Sequence, residues 1–116
     1  GKSANVPGLT SNVVAGTTAD IIISSGENSN VSNVVATGSK LTVTADNTND
    51  NNASAYLENI KVGAVDVTAK NNITVDTLET TGDAKLEAQT GDVKGGDLTV
   101  GENAIIKTNE NNIALF

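Results

Sequence analysis

The chain reads as an all-β protein folded as a parallel β-solenoid (β-helix), with about five coils of ~20 residues and three short strands per coil. Three observations predict this. Apolar residues come in runs of two or three, too short for an amphipathic helix or a long strand. The runs are built from Val, Ile, Leu, Ala and Thr, which suit pleated, half-buried surfaces, and are separated by Gly, Asp and Asn, which suit turns. The runs also recur at a nearly constant interval.

The first strand family sets that interval. Ile21-Ile22-Ile23-Ser24-Ser25 is followed by Leu41-Thr42-Val43-Thr44-Ala45, Val65-Asp66-Val67-Thr68-Ala69, Ala84-Lys85-Leu86-Glu87-Ala88 and Ala104-Ile105-Ile106-Lys107-Thr108. The central residues Ile23, Val43, Val67, Leu86 and Ile106 stand 20, 24, 19 and 20 positions apart. A second family precedes each of these: Val13-Val14-Ala15, Val34-Val35-Ala36, Ile60-Lys61-Val62, Leu78-Glu79-Thr80 and Leu98-Thr99-Val100. A third follows: Val31, Ile73-Thr74-Val75, Val93 and Ile113-Ala114-Leu115. Most runs alternate, so that in Leu78-Glu79-Thr80 the outer two residues face one side and Glu79 the other.

Hairpins of such short strands would bury little. A coil that climbs once per repeat stacks Ile23 under Val43 and Val43 under Val67, and pairs each backbone with its neighbours about 4.8 Å away. The expected inward set is Ile21, Ile23, Leu41, Val43, Val65, Val67, Leu86, Ile106, Ile60, Leu78, Leu98, Ile73 and Val93. The 24-residue step falls across "DNTNDNN" at 46–52, a loop bulging from a corner. Residues 1–116 make one domain, with 1–10, including Pro7, as a cap or preceding segment.

Composition narrows the function. The formal charge is −7, the seven basic residues are all lysines, and there is no Arg, His or Cys. A nucleic-acid interface needs a basic stripe and aromatic platforms, and the only aromatics are Tyr56 and Phe116. No apolar run reaches the roughly 20 residues of a membrane-spanning helix. No cofactor is expected.

The stretches "GDAKLEAQTGDVKGGDLTVGENAIIKTNENNIAL" and "VDVTAKNNITVDTLETTGD" resemble filamentous haemagglutinin-type repeats of large bacterial exoproteins secreted by the two-partner route. The matching turns are Gly82-Asp83, Gly91-Asp92, Gly101-Glu102 and Asn71-Asn72, each just before an apolar strand. The likeness is good over 59–115 and fair over 11–45. It implies a right-handed parallel β-helix in an extracellular, rod-like adhesin at the bacterial cell surface, with host-cell or matrix glycans and proteins as partners.

Candidate residues for chemistry are few. Asp76, Glu79 and Asp97 lie in or beside strands of the second family, and two stacked carboxylates at a suitable spacing could act on a polysaccharide. Solvated outward positions of an acidic rod are the preferred reading, and no catalytic residue is expected. Asp46 and Asp50, among asparagines, form the candidate metal loop, but the spacing matches no EF-hand. Gly95-Gly96 reads as a corner turn, since no helix and no Lys-Ser/Thr pair follow. Asn12, Asn33 and Asn59 each precede the second family and are expected to stack as a corner ladder, where Asn tolerates left-handed backbone. The sequence ends on "NNIALF", with Leu115 and Phe116 apolar, which fits either a cut from a longer array or a subunit that stacks head to tail on the next copy. Both readings expect self-association.

Overall fold

The computed structural model describes residues 4–6, 9–10, 20–25, 28–46, 52–108 and 113–115. Its strands are β1 (Ala4–Val6), β2 (Leu9–Thr10), β3 (Asp20–Ser25), β4 (Ser29–Ala45), β5 (Ala55–Ala69), β6 (Ile73–Thr80), β7 (Ala84–Ala88), β8 (Val93–Val100), β9 (Ala104–Thr108) and β10 (Ile113–Leu115). Every pairing among them is parallel. No helix occurs among the described residues, and so none that could cross a membrane. Strand β4 makes one full coil, β5 the next, β6 with β7 a third, and β8 with β9 a fourth. Strands β1, β2 and β3 flank β4 on its other side, and β10 opens a further coil on β8. The protein is a β-solenoid of about four turns.

The register of the first family is that of the sequence repeat: Ile23, Val43, Val67, Leu86 and Ile106 stack as successive partners. Val34, Ile60, Leu78 and Leu98 do the same on the second face. Two alignments differ. Leu9-Thr10 pairs with Val34-Val35, the place that the sequence repeat assigns to Val13-Val14; the more apolar doublet had drawn the alignment four residues along the chain. Val13-Val14-Ala15 lies outside the described residues. On the third face Val31 stacks on Leu57 and Val75, whereas Ile73 and Val93 form a separate column with Ser29 and Ala55. That face has two inward positions per coil, and the small Ser29 and Ala55 left one of them without an apolar signal. Residues 4–6 and 9–10 pair alongside β4.

The core is a narrow rod. Within β5 alone, Ala55, Leu57, Ile60, Val62, Val65, Val67 and Ala69 are all buried. Of the expected inward set, Ile23, Leu41, Val43, Ile60, Val65, Val67, Ile73, Leu78, Leu86 and Val93 are buried, while Ile21, Leu98 and Ile106 are partly buried against them. These last three lie in the outer coils, where fewer neighbours cover them. Ala45, Ala69 and Ala88 stack where the first face ends, small enough for the chain to turn over them.

The corner between the second and first faces is uneven. Thr37-Gly38-Ser39 separates Ala36 from Lys40, but only Gly63 separates Val62 from Ala64 in the next coil, and the register shifts there. The carbonyl oxygens of Thr37 and Ser39 both lie 2.9 Å from where a Gly63 Cβ would stand. A side chain at that position has no room. The Ser39 hydroxyl is enclosed at the same corner and makes no hydrogen bond among the described residues.

Candidate functional site

With its interior filled, the solenoid has only corners and outer columns to offer a ligand. The corners are occupied by hydrogen bonding along the rod. Asn28, Ser54, Asn72 and Asp92 each stand one residue before a strand of the third face. The Ser54 N–H donates to Asn28 Oδ1 (3.0 Å), the Asn72 N–H to Ser54 Oγ (3.2 Å) and the Asp92 N–H to Asn72 Oδ1 (2.8 Å). Each short polar side chain thus takes the amide hydrogen of the coil above, which would otherwise be an unsatisfied donor at the turn. At the corner leading to the first face, the Asn103 N–H donates to Asp83 Oδ1 at 3.0 Å.

Asn33 and Asn59 sit at the third corner with φ of 57° and 55°, the left-handed conformation that Asn tolerates better than most residues. Asn59 Nδ2 donates to Asn33 Oδ1 at 2.9 Å. Asn12 lies outside the described residues, and Thr77 and Asp97 continue this corner position in the later coils. The ladder at Asn28 was hidden in the sequence because its side-chain acceptors change between asparagine and serine. The signal that could reveal it is position: every member immediately precedes a strand.

The expected carboxylates are spread over the surface. Asp76 is exposed at the end of the third face, Asp97 occupies the corner, and Glu79 projects from the second face, where its Oε2 lies 3.6 Å from Lys61 Nζ. Asp76 and Glu79 therefore lie on opposite sides of a corner. Asp46 is exposed and Asp50 lies outside the described residues; among the described residues no group of three or more Asp, Glu, His or Cys could hold a metal. Gly95 takes the buried inward position stacked on Val75, and Gly96 falls between that pair and the Thr77–Asp97 pair of the corner, with the Asp76 carbonyl oxygen 2.7 Å from where a Gly96 Cβ would stand. Leu115 pairs opposite Gly95 in β10, and Phe116 lies outside the described residues.

The outer columns differ by face. The second face carries Val35, Lys61, Glu79 and Thr99. The first face carries Ile22, Thr42, Asp66, Lys85 and Ile105 in one column and Ser24, Thr44, Thr68, Glu87 and Lys107 in the other, with Lys85 Nζ 3.8 Å from Glu87 Oε1. The third face carries Asn30, Tyr56, Thr74 and Lys94, with Glu58 and Asp76 two positions further along their strands. Asn30, Tyr56, Glu58, Thr74 and Asp76 border a shallow hollow of about 360 Å³. This hollow is the candidate site. No protein-family model, curated protein or solved structure matches the chain.

Proposed function

We propose that the chain is a structural and adhesive β-solenoid segment of an extracellular bacterial surface fibre or filament, without catalytic activity. The observation that carries this reading is the unbroken parallel stack, in which inward residues repeat from coil to coil while outward residues do not. Such a rod gains stiffness from its ladders. Its outer columns are free to vary without disturbing the core.

The likeness of Gly82-Asp83, Gly91-Asp92 and Gly101-Glu102 to haemagglutinin-type turns supports a bacterial exoprotein setting. A further coil in the same register, from the same chain or from a second copy meeting Leu115 and Phe116, would lengthen the rod. Host-cell or matrix glycans and proteins are the partners in this reading.

Location is tested by labelling intact and permeabilised bacteria that make the protein with an antibody against the folded chain. Labelling of intact cells is expected; labelling only after permeabilisation overturns the reading. Electron microscopy at rising concentration tests end-to-end stacking, which compact monomers throughout would exclude. Incubation with neutral and acidic glycans tests the absence of catalysis, and new reducing or unsaturated ends that vanish in Asp76→Asn or Glu79→Gln would refute it.

A further inference from the structure

Some outward polar side chains of the rod are engaged by a neighbour among the described residues and others are not, on the first face (Thr42, Asp66, Thr68) as on the third. Glu79 and Glu87 have lysine partners, and Asn28, Ser54, Asn72, Asp83 and Asp92 serve the corners. Around the hollow, the side chains of Asn30, Tyr56, Glu58, Thr74 and Asp76 make no hydrogen bond or ion pair with another described residue, whereas Ser32, which also lines it, is engaged. Tyr56 is the only tyrosine of the chain and is 43% exposed, held on a strand between Asn30 and Thr74 of the adjoining coils. Two carboxylates, an aromatic ring and short hydroxyl and amide groups thus share one rigid, shallow surface.

We propose that this hollow binds an amino sugar with a free ammonium group, presented on a glycan. The ring of Tyr56 offers an apolar and π-rich platform for the C–H face of a pyranose and for a nearby cation. Glu58 and Asp76 accept charge-assisted hydrogen bonds from the ammonium. Asn30 and Thr74 match sugar hydroxyls as donors and acceptors. Lys94, one coil beyond Thr74 and without an ion-pair partner among the described residues, disfavours a cation at that end of the column. A shallow, solvent-open site of this kind implies weak single-site binding that a repeated surface strengthens by avidity.

This inference rests on the adhesive reading and names its ligand class. Because the chain has no Trp and one Tyr, intrinsic tyrosine fluorescence reports on this hollow directly. The full chain is titrated with a glucosamine tetramer at pH 6, with the N-acetylated tetramer and tetralysine as controls. A saturable change is expected for the glucosamine tetramer alone, with dissociation in the roughly millimolar range or tighter. The double variant Glu58→Gln/Asp76→Asn keeps the fluorophore and should weaken binding roughly tenfold or more, as loss of charge-assisted hydrogen bonds requires. Its melting temperature serves as the folding control, since both residues are exposed. No signal change, equal response to the N-acetylated tetramer, equal response to tetralysine, or unaltered binding by the folded double variant each overturns the proposal. Surface labelling of intact cells alongside a failed titration would leave the adhesive reading standing and remove only this ligand.

Discussion

Leu86→Ala tests the stacked core most directly. Leu86 is completely buried and lies between Val67 of the coil on one side and Ile106 of the coil on the other. The substitution removes three carbon atoms, about 2.4 kcal/mol of transfer free energy at about 0.8 kcal/mol per methylene. A cavity term adds to this in proportion to the volume that stays empty. In a globular core, neighbouring elements shift to close part of such a hole. Here the coil spacing of about 4.8 Å is held by continuous parallel ladders on both sides, which resist any collapse along the rod. The cost is therefore expected in the upper half of the usual range, at about 4 kcal/mol. Ile106→Ala, in the same column but only partly buried, leaves a gap that solvent already reaches, and should cost about 1–2 kcal/mol. Equilibrium urea unfolding followed by far-ultraviolet circular dichroism measures both. Equal costs, or a Leu86→Ala cost below about 1 kcal/mol, would refute the fixed-spacing column.

Further outcomes follow from the corners. Gly63→Ala brings a Cβ to 2.9 Å from two backbone oxygens of the preceding coil and should destabilise by about 1–3 kcal/mol, measured as a lowered urea midpoint; an unchanged midpoint would mean that corner is not packed as described. Ser54→Ala removes the acceptor of the Asn72 N–H and the donor to the Asn52 carbonyl, and is expected to cost about 1–3 kcal/mol with faster exchange of the Asn72 amide. Unaltered exchange at Asn72 would show that the ladder contributes nothing. Asn59→Ala should cost about 1–2 kcal/mol because an alanine is strained at φ 55°. Asn59→Gly should cost less than Asn59→Ala, and the reverse order in thermal melts would contradict a backbone origin.

The first and second strand families were legible in the sequence because their inward positions are filled by Val, Ile and Leu in coil after coil. That regularity fixed the parallel stack and the columns through Val67 and Leu78 before any geometry was known, as a coil this thin must place like residues on like to bury anything. The third family was legible only in part. Ser29, Ala55 and Gly95 stand inside the core there, and small residues carry no apolar periodicity. Asn33 and Asn59 were readable as corner residues because few other residues tolerate their backbone. The ladder of Asn28, Ser54, Asn72 and Asp92 was not, since the side-chain oxygen that reaches each amide hydrogen comes from asparagine in two coils and serine in another. The uncommitted hollow at Tyr56 depended wholly on tertiary structure. Its residues come from three coils, and sequence separation of some twenty positions hides a neighbour that parallel pairing places about 4.8 Å away.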